Sequence, residues 1–168
     1  MLDMEIQNKE LHRIAITAII YNKEGKFLIT KRAPHKKSFP NLWTVPGGGM
    51  EVDDYINTPV TTKAGQWYYA VETTLRREVR EEVNLEIEKP QYLLDLVFIS
   101  PQGQPCIVLS YYAEYKSGEI KLDHDSVEYK WIGVEEIKDY ELIDGIGEEI
   151  EMVDKILKNN GDTLHTTR

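Results

Sequence analysis

Glu78, Glu81 and Glu82 lie close together in the stretch Val71 to Val83, whose apolar members recur at four-residue steps. A helix turns about 100° per residue. With Glu78 at zero, Glu82 falls near ~40° and Glu81 near ~300°, so the three carboxylates share an arc of roughly 100°. Val71, Leu75, Val79 and Val83 form a stripe from about 20° to 140°. Glu82 therefore lies inside the edge of the face that should be buried, and Glu78 borders it. Charge runs on helices are usually solvated faces, and Arg77 with Glu81 makes an ordinary i,i+4 pair. A carboxylate on a buried edge is different. Desolvating neighbouring carboxylates costs several kcal/mol unless they protonate or find a cation. Arg76 and Arg80 point away from the arc, and Arg77 sits near Glu81 only. A divalent ion meets the need: hard cations such as Mg²⁺ take oxygen ligands, commonly one or two carboxylates plus substrate phosphates.

These carboxylates must be held by a surrounding fold, whose pattern alternates strands and helices. Ile14 to Tyr21, the turn Asn22-Lys23-Glu24-Gly25 and Lys26 to Lys31 read as a hairpin. Ala33 to Asn41 is loop, Leu42 to Val45 a short strand, and Gly47-Gly48-Gly49 a turn; no Gly-Lys-Ser/Thr follows to make a P-loop. From Asp53 to about Tyr69 the signals are loop-like, with residues 55–69 read as an insertion. Ala70 to Val83 is the strongest helix, and Asn84 can adopt the left-handed conformation that ends it. Strands follow at Gln91 to Ser100, Cys106 to Tyr115 and Val127 to Ile132. Ile146, Ile150, Val153 and Leu157 mark a last helix, with a frayed tail expected over 159–168. Hairpins mixed with helical crossovers imply an α/β fold: a mixed central sheet covered by helices on both faces.

A chain of 168 residues with 41% apolar and 29% charged residues suits one globular domain over 1–168. Lys and Arg total 20 against 29 Asp and Glu, a formal charge of −9. That balance disfavours nucleic acid as a partner, because such binding rests on cations displacing counterions along phosphates. The single cysteine, Cys106, forms no internal disulfide and suits a reducing compartment. No stretch approaches the ~20 apolar residues of a membrane span, and the polar start is unlike a signal peptide, so the expectation is a cytoplasmic protein without a membrane partner.

Arg77-Glu78-Val79-Arg80-Glu81-Glu82-Val83-Asn84-Leu85 resembles the second half of the Nudix box. That pattern is Gly, five residues, Glu, seven residues, then Arg-Glu-apolar-any-Glu-Glu-any-Gly-apolar. Leu42-Trp43-Thr44-Val45-Pro46-Gly47-Gly48-Gly49-Met50-Glu51 resembles the family's approach to it. Three features depart from the pattern. Asp54 stands where the box has Glu, 22 residues rather than seven separate it from Arg77, and Asn84 replaces the last Gly. The resemblance implies a Nudix-like α/β/α sandwich that hydrolyses a nucleoside diphosphate linked to another group. Glu78, Glu81 and Glu82 would hold Mg²⁺ or Mn²⁺, lowering the pKa of an attacking water. Arg77 would orient a box glutamate, Glu81 first. Gly48 and Gly49 would let the backbone approach the small nucleotide-like substrate. Glu81 and Glu128 are the candidate general bases, with Glu128 also a further candidate ligand.

Other features are weighed against plainer uses. Arg32, His35, Lys36 and Lys37 form the one basic cluster, and such clusters are commonly solvated surface; Arg32, at a strand end, is the member best placed to meet substrate. Trp67-Tyr68-Tyr69 more often pins a loop than stacks a base, with a lid or homodimer contact as the alternative. Pro101, 16 residues beyond Leu85, resembles a proline seen after the box in ADP-ribose-type members, but Pro101-Gln-Gly-Gln-Pro105 is independently a good hairpin turn, the favoured reading. The histidines at 12, 35, 124 and 165 show no zinc-ligand spacing. A non-catalytic Nudix-like binding module is the first rival reading. An isopentenyl diphosphate isomerase, which shares the fold, needs a cysteine after a tryptophan, whereas Trp43 leads into Thr-Val-Pro-Gly.

Overall fold

The computed structural model describes residues 9–165, with side-chain environments from 9 to 160. Strands β1 (Arg13–Tyr21) and β2 (Phe27–Arg32) form the expected hairpin, closed by Asn22, whose side-chain oxygen accepts the Glu24 and Lys26 N–H groups. β3 (Trp43–Thr44) pairs with β2. β4 (Gly47–Gly49) corrects the expectation of a turn: it runs antiparallel to β1, with Ala15 to Thr17 opposite Gly49 to Gly47. Side-chain-free backbone can lie close to β1 here. A Cβ on Gly47 would stand 2.3 Å from the Ile16 carbonyl oxygen. A 3₁₀ turn, Val52–Asp54, precedes the insertion, and α1 (Ala70–Val83) begins where the apolar stripe does. Asn84 ends α1 in the left-handed conformation (φ 56°), and its side chain donates to the Glu119 carbonyl at 2.9 Å.

β5 (Glu86–Ile87), β6 (Gln91–Ile99) and β7 (Pro105–Ser117) follow, then β8 (Ser126–Ile132) and α2 (Ile146–His165). The Pro101–Pro105 segment is the hairpin turn between β6 and β7, held by Ser100 N–H to the Gln104 carbonyl. β1 and β7 run parallel along the sheet's centre, while the β2–β8, β6–β7 and β1–β4 pairs are antiparallel. The sheet is therefore mixed, as expected. Strand alternation divides its core. Ile16, Ala18 and Ile20 pack with Leu75, Val79 and Val83 of α1. Ile19, Phe27, Ile29 and Ile132 pack on the other face with Ile146, Ile150 and Val153 of α2. Helical backbone continues beyond Asn159 to His165, and 166–168 lie outside the described residues. No described helix is long and apolar enough to cross a membrane.

Candidate metal and nucleotide site

The buried stripe of α1 fixes where its glutamates point. Leu75, Val79 and Val83 are fully buried under the sheet, so Glu78 and Glu82 are carried to the rim against β4. The Gly47 N–H donates to Glu82 Oε2 at 2.9 Å. Gly48 faces Glu78 directly: a Cβ there would stand 2.4 Å from its carboxylate. The Gly49 carbonyl accepts from Arg77 Nη2 at 3.0 Å, and a Cβ at Gly49 would meet the Arg13 guanidinium at 2.7 Å. Gly48 and Gly49 thus serve the acidic helix, with Arg13 beside them.

Arg77 does more than the helical spacing indicated. Its Nη1 reaches Glu81 Oε2 and Glu78 Oε1, each at 2.9 Å, so it joins two members of the arc rather than lying near Glu81 only. Its Nε and Nη2 also donate to the two oxygens of Asp54. Asp54 is buried, and further accepts the Thr74 hydroxyl at 2.7 Å and the Glu51 N–H at 2.9 Å. The insertion leaves after Asp54 and returns at Tyr69. The contact to Thr74 and Arg77, one helical turn apart, therefore survives it. Within the insertion Trp67 packs on Tyr55 and donates to the Thr58 carbonyl, pinning the loop to itself, while Tyr68 and Tyr69 stay exposed.

Electrostatics separate the glutamates. Burial pushes Glu82 up to about 8; the Gly47 N–H opposes this, while Glu78 and Asp123 reinforce it. Burial also raises Glu78, against the pull of Arg77. The Arg77 hydrogen bonds hold Asp54 down near 2. Glu78 is 12% exposed and Glu81 58% exposed, so the first is enclosed and the second reaches water. Among the described residues Glu82 makes no ion pair. Glu78 and Glu82, two half-buried and mutually repelling oxygen donors, fit a hard divalent cation, while Glu81 is tied to Glu78 through their shared Arg77 Nη1.

Glu128 does not join this group. It shares its strand side with Ile132, which packs under α2, and it pairs with Lys130 at 3.4 Å. Alternation along β8 turns it to the face opposite α1. Asp123, which the sequence reading did not single out, is the acid brought to Glu82 instead, with its N–H on the Glu82 carbonyl at 3.2 Å. No local signal marked it, because it lies on a loop 41 residues beyond the helix glutamate it approaches. Arg32 donates to the Ser38 carbonyl at 3.0 Å, and burial lowers its pKa while the charges of Glu82 and Asp125 oppose that. It lines a cavity of about 600 Å³ together with Arg13, Lys37, Phe98 and Cys106.

The family profile of the NUDIX domain matches residues 11–152. The chain belongs to the Nudix family. It is 26% identical over 140 residues to the nucleoside triphosphatase NudI of Klebsiella pneumoniae, covering 77% of this chain and 88% of that protein. It is 27% identical over 129 residues to the NAD-capped RNA hydrolase NudC of Stutzerimonas stutzeri, covering 74% of this chain but 38% of that enzyme. Among solved structures, the NUDIX domain of Shewanella oneidensis NrtR complexed with ADP ribose superimposes with a TM-score of 0.68 at 16% identity, covering 92% and 94% of the two chains. A MutT protein from Methanosarcina mazei Go1 does so at 0.65 and 21%, covering 90% and 99%. These structures share the Nudix fold with this chain. The protein is a Nudix hydrolase, a pyrophosphohydrolase built on the α/β/α sandwich.

Proposed function

We propose that this Nudix hydrolase cleaves a phosphoanhydride in a nucleoside diphosphate linked to another group, a nucleoside triphosphate, ADP-ribose or dinucleoside polyphosphate, using Mg²⁺ or Mn²⁺ held by Glu78, Glu81 and Glu82. The observation that carries this reading is the half-buried Glu78–Glu82 pair closed against the glycine strand, where burial and carboxylate repulsion raise both carboxyls. When bound, the ion would neutralise the diphosphate and acidify a water ligand. Arg77, anchored by Asp54, keeps Glu78 and Glu81 turned to the same place. Glu81, the exposed member, is the candidate base that takes the proton of the attacking water. Arg32 and Arg13, in the adjoining cavity, supply positive charge for substrate phosphate or base.

The test is product analysis on a nucleotide panel with wild-type protein and Glu82→Gln, with and without Mg²⁺. Metal-dependent turnover that collapses in the variant supports the assignment. Equal turnover in both would refute it, and metal binding without turnover on any nucleotide would favour the non-catalytic module.

A further inference from the structure

Two loops distant in sequence meet at the rim of the Arg32 cavity. Ala33 N–H donates to the Asp125 carbonyl at 2.8 Å, locking the segment after β2 to the one before β8. Asp125 N–H donates to Asp123 Oδ1 at 3.0 Å, setting the turn of the second loop. The consequence is a cluster that spacing in the sequence concealed. His35 Nε2 and His124 Nε2 lie 3.1 and 3.3 Å from the same oxygen, Oδ1 of Asp125. The two imidazoles are parallel within 2°, with centroids 6.0 Å apart, and the three donor atoms all lie within 4.8 Å of one another.

We infer that His35, His124 and Asp125 form a second metal site, one for a borderline transition dication such as Zn²⁺, separate from the all-oxygen site on α1. Bond lengths of about 2.0–2.2 Å to nitrogen and oxygen in a tetrahedron place neighbouring donors about 3.3–3.5 Å apart, close to the two separations seen here. Imidazole with one carboxylate suits zinc, cobalt, nickel or copper, whereas magnesium prefers oxygen alone. Lys36 holds the other Asp125 oxygen, Oδ2, so the carboxylate offers the histidines one oxygen in a fixed orientation. Three protein ligands leave a fourth position, as in catalytic rather than structural zinc sites. All three residues line the cavity that contains Arg32 and Lys37, so that position is within reach of a ligand there.

The plainer arrangement, two imidazoles donating hydrogen bonds to Asp125 with no metal, makes the opposite forecast in one experiment. Metal-stripped protein is titrated with Co²⁺ in excess Mg²⁺, which occupies carboxylate sites, and the visible absorption of four-coordinate cobalt is followed. The wild type and Glu82→Gln should each bind one Co²⁺ that Zn²⁺ displaces, and His35→Gln and His124→Gln should each weaken it about tenfold or more. Both histidines are exposed, 58% and 84%, so neither exchange disturbs the core. Absence of the cobalt spectrum in wild type, or its persistence in both histidine variants, would overturn the site. Its loss in Glu82→Gln alone would move the ion to α1 and equally overturn it. Because binding is read without turnover, this outcome is independent of the proposed hydrolysis.

Discussion

Glu82→Gln should change how the metal-free protein responds to pH before it changes anything else. Burial raises this carboxyl from 4.5 to about 8 in the fold. The folded chain therefore keeps a proton that the unfolded chain gives up above pH 4.5. Between those values the unfolded state binds fewer protons, so stability falls as pH rises and levels off once the folded pKa is passed. At about 1.4 kcal/mol per pKa unit, the loss between pH 5 and pH 9 is about 4 kcal/mol. Glutamine has no proton to lose and can still accept the Gly47 N–H. Urea denaturation in EDTA at pH 5, 7 and 9 should show the variant overtaking the wild type progressively, by about 4 kcal/mol across the range. Adding Mn²⁺ at pH 8 should restore the wild type and leave the variant unmoved. Parallel stability curves for the two proteins would mean that Glu82 ionises freely, and the case for a cation-demanding edge would fail.

Asp54→Asn should cost about 2–3 kcal/mol at neutral pH, since the Arg77 pairing lowers the carboxyl from 3.8 to about 2. That stability is present above pH 3.8 and lost as pH falls toward 2, so acid-unfolding curves of the variant and the wild type should converge there. Gly48→Ala should leave the fold intact, because the obstructing atoms are the end of a flexible side chain, yet push the Glu78 carboxylate aside. Mn²⁺ affinity by calorimetry should drop about tenfold or more, consistent with misplacing a ligand. Asn84→Ala should destabilise by about 1–2 kcal/mol in thermal melts, losing both the bond to the Glu119 carbonyl and the residue's tolerance of positive φ. Asn84→Gly gains backbone ease but loses the bond, and should stay within about 1 kcal/mol of wild type.

The sequence by itself determined what is periodic or local. The four-residue apolar steps defined α1 to its observed bounds and placed Glu82 at a buried edge, because helical geometry relates those residues wherever the helix sits. Asn84 as the helix end, the Asn22–Gly25 turn and the Pro101–Pro105 hairpin were legible for the same reason. Everything joining distant segments was decided by the tertiary structure. Gly47–Gly49 reads as a turn until β1 offers it a partner, and a strand without side chains is what lets Glu78 and Glu82 close against it. Asp54 recovers its place beside Arg77 because the insertion leaves and re-enters at nearby points. Glu128 is turned to the wrong face by the period-two alternation of β8, which depends on which of its residues the sheet buries. His35, His124 and Asp125 lie 90 residues apart at their extremes, and only the bond between their loops makes them neighbours. Spacing along a chain reports position within one element; which elements touch is set by the burial of whole faces, and that is known only once the sheet has formed.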